Sequence, residues 1–451
     1  MNRRPVEQLF FWLYQLGMNA FFPMGLLVLL PMLVFERKWR STTMPRLGFQ
    51  DFPESPGPQG SAAPYSRKVL WIHALSVGEI LSAVPLIKAL HSGMKPARLH
   101  LSVSTRSGYD MASARLEGSY DGLFYFPFDL LFSVHRAFAK VAPSLFVLVE
   151  TDIWPGFMAE LGRRHIPGFM INGRLSPSSL KRYVLAKAIF SPALNTFHRI
   201  YPQSPLDSAS FRQLGVSPKK LADPGNLKFD AALAEAPPEQ LEKVRTKLTP
   251  EPGHRMLVAG STHEGEEAVL RSVFLQLRQK IPKLKLIVVP RHPHRAEEVY
   301  RLFVHDRLHV AYYSMLPQKD FDVAVVDAFG VLGSLYAFGD VAYVGGSLVR
   351  KGGQNPIEPA AAGKPVLFGP DMSDFPDVSN LLTTQGGAIR VLSGEELEEQ
   401  CYRLLSDSAF SARLGEKNKA LVEAHRGITD RLAKDILEAF EKASFSNPSC
   451  L

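Results

Sequence analysis

The chain has 451 residues, 46% of them hydrophobic, and a formal net charge of +8. This length predicts two domains of roughly 150–200 residues each, and the apolar content excludes a disordered chain. The basic balance suits an anionic substrate, an acidic membrane surface or nucleic acid; without zinc-finger spacing or aromatic-interleaved basic runs, nucleic acid ranks last and is not expected as a partner.

From residue 8 to residue 35 there is no charge, and the run includes Phe10, Phe11, Trp12, Leu13 and Tyr14. About 20 apolar residues suffice to span a bilayer. Pro23, Pro31, Gln15 and Asn19 interrupt an ideal span. Arg3 and Arg4 precede the run, and Arg37, Lys38 and Arg40 follow it, a placement that keeps the body of the protein cytoplasmic. Residues 1–40 are therefore expected to anchor the chain to a membrane, spanning it or lying in its interface. The competing reading is a hydrophobic helix packed on the protein itself. Residues 41–66, with Pro53, Pro56, Gly57, Pro58 and Gly60, read as a linker.

Strands are predicted at 69–73, 99–104, 122–127, 145–150, 168–172 and 199–203. Helices are predicted between them at 77–91, 108–116, 131–141, 156–165 and 180–197, with one more at 207–214. Residues 216–254 carry Pro218, Pro224, Gly225, Pro237, Pro238, Pro250, Pro252 and Gly253, and read as an inter-domain region with one helix at 239–248. A second series follows, with strands at 255–260, 284–289, 323–326, 341–344 and 365–368. Its helices are placed at 264–280, 295–305, 332–338, 356–362, 373–382, 395–405 and 411–442. Strands alternating with helices build parallel sheets, so the fold class is α/β: two Rossmann-like doubly wound domains facing a cleft, with ligands at the carboxyl ends of the strands. The expected domains are 67–224 and 225–425, with 426–451 as a terminal helix and tail. Cys401 and Cys450 have no nearby partner in sequence, which fits a reducing compartment.

The junctions after strands carry the candidate chemistry. Ser76 and Glu79 have the spacing of a capping box, which local sequence favours; the other reading is that Glu79 takes a proton from an attacking hydroxyl. Ser261 and Glu264 repeat the spacing, leaving Thr262 and His263 at a helix start, aimed at phosphate. Asn355, Pro356 and Glu358 form a third such start. The glycines at 345–346 and 352–353 could let a phosphate or sugar approach the backbone. Arg291 suits a phosphate contact; His292 and His294 lack the carboxylate or thiol that would make a metal site persuasive, and no metal is expected. Glu150 and Asp152 end a strand and could bind sugar hydroxyls, hold a metal, deprotonate a hydroxyl, or simply form a turn.

Taken together, the segments 71–79 (Trp-Ile-His-Ala-Leu-Ser-Val-Gly-Glu), 149–155, 172–176, 225–230 (Gly-Asn-Leu-Lys-Phe-Asp), 261–267, 290–293 and 345–359 resemble bacterial 3-deoxy-D-manno-octulosonic acid (Kdo) transferases of lipopolysaccharide synthesis. The resemblance runs in order over roughly residues 10–430. It implies a GT-B glycosyltransferase with CMP-Kdo as donor, a tetraacyl lipid A precursor (lipid IVA) as acceptor, no further cofactor, and a place at the cytoplasmic face of the inner membrane. It implies that Glu79 is the general base. It implies donor contacts from Ser261, Thr262, His263, Arg291, Asn355 and Glu358, with Gly330 near the nucleotide and Lys228 near the donor. Gln354 departs from the His or Arg expected before Asn355. Alternatives outside this family are a UDP-sugar transferase or epimerase, and a membrane-tethered nucleotide-binding scaffold.

Overall fold

A computed structural model describes residues 5–28, 37–53, 68–95, 97–233, 238–249, 253–304, 308–317 and 320–443. Arg3, Arg4, residues 29–36, half of the linker (54–66) and Cys450 lie outside them. The chain forms two compact units, one of residues up to Ala231 together with the segment from Gly427, the other of Ala232–Arg426.

The first unit holds six parallel strands: β1 (Val69–His73), β2 (Arg98–Val103), β3 (Gly122–Tyr125), β4 (Leu145–Val149), β5 (Gly168–Gly173) and β6 (Arg199–Pro202). Their spatial order is β3-β2-β1-β4-β5-β6. β1 and β4 are buried along their whole length, as expected of parallel strands covered by helices on both faces. Side chains alternate between the two faces: Leu70 and Ile72 enter one core, Val69 and Trp71 the other. Trp71 sits among the rings of Phe124, Phe138, Phe146 and Phe157, with centroids 5.2–5.6 Å away.

The helical stretch expected at 180–197 is two helices, Pro177–Leu185 and Lys187–Leu194. The break at Ala186 lets the second helix pack on both Pro155–Arg163 and the N-terminal helix Pro5–Val28. No described helix is long and apolar enough to cross a membrane. Pro5–Val28 is tied to the body: the Tyr14 hydroxyl donates to Asp129 at 2.7 Å, and Asn19 Oδ1 accepts the Leu131 N–H at 3.0 Å. Leu9, Trp12, Leu13 and Leu16 remain exposed on it. Part of the segment read as a linker is also structured. A helix covers Arg37–Arg46, and the Gln50 side-chain amide then pairs with both backbone groups of Tyr125 on edge strand β3.

The second unit holds β7 (Arg255–Thr262), β8 (Leu284–Pro290), β9 (Val310–Tyr312), β10 (Val323–Val325), β11 (Val341–Val344), β12 (Val366–Phe368) and β13 (Ala388–Arg390). The order is β13-β12-β11-β7-β8-β10-β9, with every pairing parallel. Edge strands β9 and β13 are three residues long, too short to show a period in the sequence. The helix expected at 411–442 is divided into Ser408–Ala424 and Ile428–Lys442. Gly427 makes the turn at φ +92°, a conformation that costs glycine little. The Asp230 carboxylate then accepts the N–H groups of Gly427 (2.9 Å) and Thr429 (2.6 Å) and caps the last helix. That helix returns to the first unit, where Leu432, Ile436 and Phe440 join the core of β1 and β2.

Candidate functional site

Each sheet has a switch point where neighbouring strands connect onward in opposite directions, β1 and β4 in the first unit and β7 and β11 in the second. Loops leaving such neighbours diverge and open a crevice. The chemistry-bearing residues gather at these two places.

In the first unit, Glu79 lies in the first turn of the helix Val77–Gly93, which follows β1. The expected capping box is not formed. Ser76 makes no side-chain cap bond, and the Glu79 Oε2 accepts the N–H of Leu75 instead. Oε1 makes no hydrogen bond among the described residues. Glu79 is only 8% exposed. Burial, then the neighbouring charge of Glu150, push its carboxyl up to about 9; the Leu75 N–H opposes this, Asp152 adds to it, and Lys228 opposes it.

Glu150 comes directly after β4 with φ +61°, and Asn172 at the end of β5 has φ +54°. Both are non-glycine residues in the left-handed region, where strain is tolerated only if the surroundings enforce it. Here Asn172 Nδ2 reaches Glu150 Oε1 at 3.4 Å, while Asn172 Oδ1 accepts the Leu227 N–H at 3.1 Å. The Lys228 ammonium stands 3.5 Å from the same Glu150 oxygen. Lys228, expected near a donor, thus belongs to the carboxylate cluster of the first unit. Asp152 Oδ2 is 3.3 Å from His73 Nε2. The His73 ring stacks on Phe126 at 3.9 Å, and its Nδ1 lies 3.0 Å from the Ser102 hydroxyl. Burial raises the Asp152 carboxyl, but the bond and charge of His73 and the charge of Arg46 outweigh it and hold the group below the usual range. Neighbouring carboxylates are therefore pushed apart: Asp152 stays ionised while Glu79 holds its proton tightly. That division suits one group to proton transfer and the other to fixing structure.

In the second unit the helix expected from residue 264 begins at Glu266, because Gly265 takes φ +95°. The Ser261–Glu264 cap is therefore absent, and Glu264 is exposed. Ser261 itself sits at φ +55°. The inward carboxylate is Glu266, which is fully buried. It accepts the N–H groups of His263 (3.0 Å), Gly346 (2.6 Å), Ser347 (2.9 Å) and Leu348 (3.0 Å), and the Tyr343 hydroxyl (2.8 Å). This corrects the reading of the 345–346 glycines as a phosphate cradle: their loop is folded around a protein carboxylate. A Cβ on Gly345 would lie 2.5 Å from the Ser261 carbonyl oxygen, so this glycine serves backbone packing. The buried Thr262 hydroxyl donates to Glu267, which also binds Arg295. Nothing in the sequence pattern marks which of Glu264, Glu266 and Glu267 turns inward.

The other expected residues surround this framework. Arg291 is exposed after β8, its N–H donating to the Thr262 carbonyl at 2.9 Å. Asn355 Oδ1 accepts the N–H of Ile357 and its Nδ2 donates to Glu358 Oε1, both at 3.1 Å. Burial raises the Glu358 carboxyl, while Asn355 and the Arg291 charge draw it back. Gly330 has φ +76°, and its carbonyl accepts Gln240 Nε2 at 2.8 Å. Exposed Arg291 and Lys351 make the surroundings of His263 cationic. Such a surface attracts phosphate.

A sequence model of the family described as 3-deoxy-D-manno-octulosonic-acid transferase (kdotransferase) matches residues 44–231. The chain is 32% identical over 409 residues to a 3-deoxy-D-manno-octulosonic acid transferase of Haemophilus influenzae, covering 89% of this chain and 92% of that one. It is 31% identical over 384 residues to a transferase of the same description from Bordetella pertussis, covering 83% and 88%. Among solved structures, a UDP-GlcNAc 2-epimerase from Neisseria meningitidis bound to UDP-GlcNAc is similar in fold, with a TM-score of 0.60, 15% identity, and coverage of 83% of this chain and 100% of that one.

Proposed function

The chain belongs to the 3-deoxy-D-manno-octulosonic acid transferase family and is a glycosyltransferase of lipopolysaccharide biosynthesis; from this premise we propose that it moves Kdo from CMP-Kdo to a hydroxyl of a tetraacyl lipid A precursor by inverting displacement, without a metal ion. The observation that carries this reading is Glu79: a nearly buried carboxylate at the switch point of its sheet, with one oxygen held by Leu75 and the other unbonded among the described residues. In the reaction Glu79 removes the proton from the acceptor hydroxyl as that oxygen bonds to the anomeric carbon of Kdo. The bond from this carbon to the CMP phosphate oxygen breaks, and CMP leaves with the electron pair. Positive charge develops on the sugar ring as in other glycosyl transfers. Arg291 and Lys351 supply the cationic charge that stabilises the departing phosphate. Ser261, His263, Asn355, Glu358 and Gly330 would surround the nucleotide, with Thr262 acting through its backbone.

The exposed Leu9, Trp12, Leu13 and Leu16 support a seat on the inner membrane's cytoplasmic face, with the helix lying in the interface. The test of function is mass spectrometry of product from CMP-Kdo, the lipid acceptor and anionic vesicles. Wild type should form Kdo-lipid with or without a chelator. Glu79→Gln should lower turnover by about 10²–10⁴-fold while leaving CMP affinity unchanged. Turnover that survives in Glu79→Gln would remove the base assignment, and loss with the chelator would remove the metal-free mechanism.

A further inference from the structure

His263 follows β7 at the switch point of the second sheet, half-buried. The groups facing it come from three elements: Glu266 from its own turn, Arg291 and His292 from the segment after β8, and Lys351 from the loop after β11. Burial lowers the basicity of the ring; Glu266 opposes that, and Arg291, His292 and Lys351 reinforce it. Glu266 is already surrounded by five donors.

His263 Nε2 lies 3.3 Å from Gln354 Nε2. An amide nitrogen donates and does not accept, so a hydrogen bond here requires an unprotonated ring nitrogen at Nε2. The neutral ring then carries its proton on Nδ1. Gly346 makes room for this pair. It has φ +70°, and a Cβ there would lie 3.2 Å from His263 Cδ2 and 3.4 Å from Gln354 Nε2. The loop is also pinned by its backbone: the Gln354 N–H donates to Gly345 O at 3.0 Å, and the Gly353 N–H donates to Gly346 O at 2.9 Å.

We propose that Gln354 is a positioning residue: its amide holds His263 as the neutral tautomer protonated at Nδ1, making the ring an uncharged hydrogen-bond donor to an anionic oxygen of the nucleotide sugar. The proposal rests on reading the residues around 261–358 as the nucleotide site. The anionic oxygen belongs to the phosphate or to the acidic sugar's carboxylate, and CMP compared with CMP-Kdo distinguishes the two.

The first measurement needs no ligand. Long-range ¹⁵N–¹H spectra of the full chain labelled at histidine, assigned with His263→Gln, should show a protonated Nδ1 and an unprotonated Nε2 at pH 7. A protonated Nε2 would mean that the amide is reversed and would overturn the proposal. The second measurement is calorimetric titration of CMP and CMP-Kdo between pH 6 and 8. Gln354→Glu places an acceptor at Nε2, so the neutral ring loses its Nδ1 proton. Relative to wild type, affinity should fall about tenfold at pH 8 and recover toward pH 6, where both nitrogens are protonated. Taking the ratio to wild type cancels the titration of the CMP phosphate itself. Gln354→Met, which lacks any polar group, should weaken binding less and without this pH dependence. A Gln354→Glu curve parallel to wild type would overturn the proposal. Failure of wild type to bind CMP would instead overturn the nucleotide-site reading, and the ligand half of the proposal with it.

Discussion

At the scale of single residues, the central fact is the contrast between Glu79 and Asp152. Asp152 has His73 and Arg46 to stabilise its charge, whereas Glu79 has burial and a like-charged Glu150. A base must be unprotonated to act, so kcat/KM should climb as pH rises from neutral toward about 9, the value to which Glu79 is raised. Glu150→Gln removes a like charge and should shift this rising limb toward acid, as read from a pH–rate profile; an unmoved limb would separate Glu150 from the base. The same shift bears on stability. The folded state holds a proton on Glu79 that the unfolded chain releases near the ordinary glutamate value, so this group's contribution declines as pH rises from there to about 9. Glu79→Gln should therefore melt at or above the wild-type temperature, with a difference that grows from pH 5 to pH 9.

At the scale of elements, left-handed residues sit at the ends of three strands: Glu150 and Ser261 at the two switch points, and Asn172 on β5 beside β4. Each turns the backbone sharply where a side chain or loop must reach the crevice. The 345–348 loop shows how such a turn is held. Four N–H groups and a tyrosine hydroxyl converge on Glu266, so the loop's shape depends on a carboxylate about 80 residues earlier in the chain. Glu266→Ala leaves buried donors without an acceptor and should cost on the order of 3 kcal/mol. Thermal melting should register that loss, and CMP affinity should fall with it because His263 and Gln354 sit on the same framework. Unchanged melting would show that water replaces the carboxylate.

At the scale of the whole molecule, the chain closes its first unit with its last helix. Asp230 caps that helix, Lys68 Nζ donates to the Phe440 carbonyl at 3.1 Å, and the Tyr201 hydroxyl donates to Asp435 at 2.5 Å. Asp230→Ala should speed amide exchange across Ile428–Lys442 and along Val77–Gly93, against which this helix packs. Exchange confined to the first turn of the last helix would mean that apolar packing alone secures it.

The two alternating strand–helix series, the buried strands at β1, β4, β7, β8 and β11, and the junctions that carry Glu79, Arg291, Asn355 and Glu358 are legible in the order of residues alone. These are local patterns: a buried parallel strand reads as a short apolar run, and the residue after it opens the site. The inward turn of Glu266 rather than Glu264, the pairing of Lys228 with Glu150, and the return of the segment from Gly427 to the first unit emerge only in the folded chain. Each outcome depends on which distant side chains meet and on how much water they lose, and neither quantity is a property of neighbours along the chain.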